Sequence, residues 1–417
     1  MSKISDLIAK LCPNGVEYKK LGEIFSLRNG YTPSKGNQSY WAGGSIPWFR
    51  MEDIRISGSI LSDSILHVTE DAVKGELFPA NSIVVATSAT IGVHALIEVP
   101  CLTNQRFTVL IPKHEYSKLY LPKFLFYYCD LLDKWCINNV NMSSFASVDM
   151  VKFRQFPMPI VPMEVQREVV EVLDKFALLT AELTAELTAE LEKRKKQYEH
   201  YRDKLLKFTQ GYKQLTVEEI LKSLKTGLNP RQNFILNTMT STCPYITGKD
   251  VYGNKINVSD KTDLIDAEVV TLINKRACLE TGDVLFASTG TGTVGRMAIV
   301  ENYQNDWAVS ETMYCMKVNR TMILPRYLMF VLTASDAKRQ YEPKISKGSV
   351  PHLKVVDLLR VKLLLPPLAE QERIVKILDK FDKLCNDLTS GLPAEIAARK
   401  KQYEYYRDKL LTFRKAG

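Results

Sequence analysis

The chain has 417 residues, of which 45% are hydrophobic and 25% charged, the make-up of an ordinary folded protein rather than a disordered one, and the length suggests two to four domains. An excess of Lys and Arg gives a formal net charge of +9, a mild bias toward polyanionic partners. No apolar run approaches a membrane span and the start, MSKISDLIAKLCPNG, is a short amphipathic stretch rather than a signal peptide, so a cytoplasmic protein is expected.

Residues 1–160 read as one globular segment. Glycine and proline turns such as GYTP and WAGGSIP cut it into short β-branched runs, with a helical stretch from Leu119 to Trp135 and a closing polar loop and apolar strand from Ser143 to Pro162. The eight cysteines show no CxxC pair and look like reduced thiols, which disfavours a zinc site and a disulfide framework.

Residues 161–211 change character. Apolar and aromatic residues recur at alternating steps of four and three, the pattern of a coiled-coil seam, with Val169, Phe176, Leu183, Leu187, Tyr198 and Leu205 on it. Within it stands TAELTAELTAEL, Thr180 to Leu191, a tetrad repeat of strong helix formers whose leucines step by four, a stutter that locally unwinds the coil.

A second globular segment follows at 212–365, with a helical stretch from Pro325 to Gln340. A second rod then runs over 366–417. Pro162 to Phe176 (PMEVQREVVEVLDKF) matches Pro367 to Phe381 (PLAEQERIVKILDKF), and RKKQYEHYRDKLLKF at Arg194 returns as RKKQYEYYRDKLLTF at Arg399, at a constant offset of 205. Such a match is an internal duplication, and its lack of gaps points to a rigid element. The second seam carries Ile374, Phe381, Leu388, Tyr403 and Leu410. Ser390, Gly391 and Pro393 should break this rod where the first has its TAEL units. Two such helices most simply bury their seams on each other.

The globular segments diverge more, yet landmarks recur in order: YKKL at Tyr18 with YKQL at Tyr212, GYTP at Gly30 with GLNP at Gly227, and Pro47 to Asp53 with Pro244 to Asp250. The run Asn81 to Ser88 likewise matches Gly282 to Thr289, each ahead of a glycine, Gly92 or Gly295. The expected fold class is mixed α/β (α+β): two globular domains joined by two long helices in an antiparallel coiled coil, with a pseudo-twofold internal repeat.

Catalytic signatures are missing. Gly290 to Gly295 matches GxGxxG, but β-type residues follow where a nucleotide site needs a helix, so a tight turn between strands is favoured. The five histidines are scattered without ligand spacing, and no hydrolase, helicase, nuclease or base-methyltransferase motif stands out, so a binder is favoured over an enzyme. Polar and basic residues cluster at the repeated loops. They are Arg28, Lys35, Arg50, Ser88, Thr90, Asn104, Gln105, Arg106, Ser143 and Ser144 in the first half. In the second they are Arg231, Lys249, Lys255, Arg276, Thr289, Arg296, Lys344, Lys347, Ser349 and His352. Such residues suit phosphate and base-edge contacts.

Two variable segments alternating with near-identical helices, each helix opened by Pro-x-x-x-Gln, together with TAEL units and RKKQYExYRDKLL, resemble the specificity subunit of type I restriction-modification systems, of the type IC kind. The resemblance implies that each globular segment is a target recognition domain for one half of a split double-stranded DNA sequence. It further implies that the helices dock two methyltransferase subunits, that restriction subunits join them, and that S-adenosylmethionine, ATP and magnesium act on those partners. The number of TAEL units is then linked to the spacer between half-sites. Val165 stands where Glu370 precedes the second glutamine, a departure from the family's usual pattern. A coiled-coil scaffold joining proteins without DNA is the rival reading, and a nucleotide-binding enzyme built on Gly290 to Gly295 a more distant one.

Overall fold

A computed structural model describes residues 2–141, 146–207, 211–386 and 391–416, so Ser143, Ser144 and Leu388 lie outside the described residues. The chain divides into two compact units, residues 1–182 with 399–417, and residues 183–398. Each contains a lobe, the start of the helix that leaves that lobe, and the end of the other helix.

In the first unit the fully buried run Ser82–Ala86 is the middle strand of five, ordered Phe25–Asn29, Phe107–Pro112, Ser82–Ala86, His94–Ile97 and Ile60–Leu61. Past Ser82, whose hydroxyl donates to Pro79 O, the strand's side chains are apolar on both faces and must be covered on both. Ile83 and Val85 pack with Phe124, Leu125 and Leu132 of the helix Pro122–Asn138, while Val84 and Ala86 pack with Phe49, Met51 and Ile54 on the opposite side. A smaller sheet joins His67–Val68, Ile46–Phe49 and Leu102–Thr103.

The second unit repeats this plan. Its larger sheet runs Leu221–Thr226, Met313–Val318, Val284–Ala287 and Met297–Ile299, and its smaller one Asp263–Ile265, Cys243–Ile246 and Ala308–Val309. Val284 and Phe286 point into one apolar cluster, Leu285 and Ala287 into another, as strand alternation requires. The Gly290 to Gly295 segment is the turn between the antiparallel strands Val284–Ala287 and Met297–Ile299, and no helix follows it. Gly92 and Gly295 both sit at positive φ, 86° and 87°, at the foot of the returning strand, a conformation that glycine adopts without strain.

Two expectations are corrected. The strand that opens each lobe aligns at an offset of 196, not the 194 suggested by YKKL and YKQL: Leu21 N–H donates to Phe156 O, and its counterpart Val217 N–H to Val361 O. A slip of two keeps every side chain on its own face, so the wrong match looks plausible in sequence. The helical stretch from Pro325 is two helices, Pro325–Thr333 and Ser335–Tyr341, parted at Ala334. Asp203 of the first rod accepts from both Ser335 N–H and Ser335 Oγ, which satisfies the start of the second piece.

The first rod is one helix, Met163–Leu206, of 44 residues with the TAEL units inside it. The second comprises Leu368–Asn386 and Leu392–Leu411, and residues 387–390 lie outside the described residues. Within the first unit the ring of Phe176 meets that of Tyr406 at 6.3 Å; within the second, Phe381 meets Tyr201 at 6.0 Å. Under the 205-residue offset this is one contact made twice, with the order of the two helices exchanged. The remaining seam positions divide by location. Val169 and Leu410 lie in the core of the first lobe, and Tyr198, Leu205 and Ile374 in or against that of the second. Leu187 and Tyr403 are half-buried, and Leu183 is 36% exposed.

The identical YRDKLL strings seat the far helix ends on the lobes through different partners. In the first unit Arg407 reaches Asp130 at 2.8 Å, Lys134 pairs with Asp408, and Phe413 lies against Phe124. Burial raises the Asp130 pKa, and the Arg407 guanidinium opposes that rise. In the second unit Tyr198, Leu205 and Leu206 enter the lobe core. Burial disfavours the ionised Asp203, but hydrogen bonds from Ser335 and Arg202 outweigh it and hold the carboxyl below its ordinary range.

The root of each rod is fixed by the glutamine of Pro-x-x-x-Gln. Gln166 is fully buried; its Oε1 accepts from Leu121 N–H at 2.9 Å, and its Nε2 donates to Leu119 O and Val161 O. Gln371 repeats every bond, with Leu324 N–H, Met322 O and Pro366 O. Because a buried amide must meet its hydrogen bonds, the two helices of each root cannot slide past one another. Gln371→Met keeps the volume but orphans three buried backbone groups. It is expected to cost about 2–4 kcal/mol in denaturant unfolding, and a loss below about 0.5 kcal/mol would show that water takes the amide's place.

Candidate nucleic-acid interface

In the first lobe the end of Phe25–Asn29, the end of Ser82–Ala86 and the start of Phe107–Pro112 lie at one edge of the larger sheet. The loops leaving that edge are tied to one another. Tyr31 N–H donates to Thr103 O, Asn104 N–H to Phe49 O, Thr87 N–H to Arg106 O and Ala89 N–H to Ala146 O. Thr32 Oγ1 donates to Gln105 Oε1 at 2.6 Å, and Ser88 bridges Ser147. This rim therefore brings together Arg50, Ser88, Thr90, Asn104, Gln105 and Arg106 from separate parts of the sequence.

Beside it lies a hollow of about 480 Å³ lined by Lys35, Gln38, Trp41, Trp48 and Arg50. The indoles of Trp41 and Trp48 meet edge to face at 5.0 Å, and the Arg50 guanidinium stands over Trp48 at 5.7 Å. Among the described residues Arg50 Nε is buried without a hydrogen-bond partner, the Glu52 carboxylate standing 3.9 Å away. Arg28 is used otherwise: its Nη2 donates to Glu76 O, and its guanidinium covers Phe78.

The second lobe has the same rim at matching positions. A glycine lies against the next strand in both, Gly30 on Thr103 and Asn104, Gly227 on Val309 and Ser310, where a Cβ would come within 2.2 Å and 1.7 Å of backbone oxygen. An aromatic residue 18 positions on donates to the carbonyl after that glycine: Trp48 Nε1 to Tyr31 O at 2.9 Å, and Tyr245 hydroxyl to Leu228 O at 2.7 Å. Thr289 bridges His352, with Oγ1 and Nδ1 2.7 Å apart. A hollow of about 380 Å³ at this rim is lined by Lys249, Asp263, Thr289, Thr291, Thr293, Ser310, Glu311 and Thr312 among others.

Apart from Lys249 at the hollow, the basic residues of this half are spread around the lobe. Lys249 pairs with Asp263 at 2.7 Å, Arg276 donates to Thr226 Oγ1 and Arg296 to Val251 O. Lys255 is exposed on the hairpin Val251–Ile256, and Arg231 on the short helix Pro230–Asn233. Lys344, Lys347 and Ser349 are exposed ahead of His352.

Residues 13–193 and 209–398 each match the type I restriction modification DNA specificity domain. The chain belongs to that family. It is 42% identical over 405 residues to the Escherichia coli type I restriction enzyme EcoprrI specificity subunit, covering 93% of each chain. It is 32% identical over 305 residues to the Escherichia coli EcoR124I/EcoR124II specificity subunit, covering 71% of this chain and 72% of that one. A chain from a solved structure concerned with complex assembly and conformational transition of the type I R-M system shares the fold, with a TM-score of 0.60 at 16% identity over 95% of this chain and 97% of that one.

Within this specificity-family chain the two domain matches fall one on each half of the duplication. Among the described residues no group of His, Cys, Asp or Glu is arranged to hold a metal, seven cysteines are free thiols, and no helix is long and apolar enough to cross a membrane. Reading the sequence for basic and polar types passes over Trp41, Gln38, Tyr245 and Glu311, which the fold places at the rims. Only the spacing of Glu311 from Gln105, once the lobes are aligned, could have flagged it.

The rim loops hang on two buried aspartates. Asp53 accepts from Arg50 N–H at 2.6 Å and Ile65 N–H at 2.7 Å, and Asp250 from Thr247 N–H and Thr262 Oγ1, each at 2.9 Å. Asp53→Ala leaves two backbone donors without an acceptor and should lower stability by roughly 2–4 kcal/mol. Equilibrium unfolding checks this, and a loss within experimental error would mean the loop holds its shape without the carboxylate.

Proposed function

We propose that this chain is the non-catalytic specificity subunit of a type I restriction-modification complex and reads a bipartite duplex target, one half-site per lobe. The duplication of the rim carries the reading, for a split target needs two similar readers on similar mounts. The readers are residues 1–160 and 212–365, and the connecting helices are 161–211 and 366–417. The rim residues of each lobe make phosphate and base-edge contacts, with the net charge of +9 favouring duplex DNA. The helices dock two methyltransferase subunits, with which restriction subunits assemble, in the cytoplasm. S-adenosylmethionine, ATP and magnesium belong to those partners. The TAEL units mark the type IC kind.

Exchange of residues 1–160 for the corresponding segment of another family member tests the reading. In the assembled complex, modified-base sequencing is expected to show one half-site replaced and the other intact. Alteration of both half-sites would refute independent reading by the lobes.

The helix between the lobes adds a second expectation. One TAEL unit lengthens a helix by about 6 Å, one or two base-pair steps. Deleting Thr184 to Leu187 is expected to shorten the preferred spacer and leave both half-sites as they were. An unaltered spacer in the methylated sites of that variant would rule out a measuring role for the repeat.

A further inference from the structure

The duplication supplies an internal comparison of what the two rims offer a base. Thr103 and Val309 end equivalent strands, and Phe107 and Met313 begin the next, so Asn104, Gln105 and Arg106 correspond to Ser310, Glu311 and Thr312. Arg50 corresponds in the same way to Thr247. At these positions the first lobe carries two arginines, an asparagine and a glutamine. The second carries hydroxyls and one carboxylate.

That carboxylate is out of place on a phosphate-binding surface. The other acid lining the hollow, Asp263, is neutralised by Lys249 at 2.7 Å. Glu311 has no cation within ion-pair distance among the described residues. Its Oε2 shares the single hydroxyl proton of buried Tyr245 with Leu228 O, at 3.0 Å and 2.7 Å, and this bifurcated bond holds the carboxylate from the lobe side. Its Oε1 makes no hydrogen bond among the described residues, and Glu311 lines the hollow with Ser310 and Thr312. An anion held rigidly at a DNA-facing rim costs phosphate affinity, and it gains only where a base edge presents a donor.

The major-groove edges decide which base. Guanine offers N7 and O6, both acceptors, and thymine offers O4 and a methyl group. Adenine offers an N6 donor, but the N7 lone pair beside it repels a carboxylate. Cytosine offers its N4 amine with only a C–H neighbour. We propose that Glu311 is a specificity-determining residue that accepts a hydrogen bond from the exocyclic amine of one cytosine in the half-site read by the second lobe. Gln105, at the same place in the first lobe, both donates and accepts and so carries a different preference.

This inference rests on the reading of the lobes as half-site readers, and its test separates the two. The assembled complex is given a library with both half-sites randomised, and base preference at every position is read by modified-base sequencing. The half-site of the second lobe is identified by exchanging residues 212–365. A wild-type complex without sequence-specific methylation at split sites contradicts the proposed function. With split sites present, the wild type must require a cytosine in the second lobe's half-site. Glu311→Gln, whose amide pairs with adenine N6 and N7, should then lower the cytosine-to-adenine preference at that one position by about tenfold or more, with the other half-site unchanged. Glu311→Ala should relax the same position. Absence of any cytosine requirement, unchanged preferences in both variants, or an equal loss at every position would each overturn the assignment.

Discussion

A single buried amide at the root of each helix sets the architecture. Gln166 and Gln371 each satisfy three backbone groups drawn from the loop before the lobe's main helix and from the segment that opens the rod. An apolar contact tolerates small slips, whereas a buried three-way hydrogen-bond set does not. The direction in which each rod leaves its lobe is thereby fixed. The ion pairs and apolar side chains of the YRDKLL strings then seat the far end of the other rod against the same lobe.

That arrangement divides the chain into parts that repeat and parts that differ. Repeated between the halves are the glutamine, the Phe176 and Phe381 ring contacts, the loop-anchoring aspartates and the glycines that let one strand lie on the next. All of them position backbone. The differences collect at the rims, where Trp48 faces Tyr245, Arg50 faces Thr247 and Gln105 faces Glu311 across the alignment. A scaffold held by backbone contacts leaves its outermost side chains free to change, since they contribute little to stability.

Much of the fold was legible because the duplication is near-literal in the rods and a helix reports itself through its period. The lobes were harder. YKKL and YKQL lured the alignment two residues off, and only the pairing of Leu21 with Phe156 and of Val217 with Val361 reveals it. The break at Ala334 depends on Asp203, more than a hundred residues away, and no local pattern announces it. The candidate site was legible by residue type but not by place. Arg28 and Arg276 read as free cations in sequence, yet their guanidiniums are engaged within the lobes, while Glu311 carries the wrong charge for a list built on phosphate contacts.

On the function proposed above, the two rims, and not the helices or the far ends of the lobes, face the DNA. Photo-crosslinking from a reactive residue placed at Thr90, at Thr291 or at the exposed Glu115, which follows the end of Phe107–Pro112 opposite the rim, distinguishes the surfaces in the assembled complex on a duplex bearing its target. Adducts are expected from Thr90 in one half-site and from Thr291 in the other, with none from Glu115. Adducts from Glu115 with none from either rim would overturn the reading.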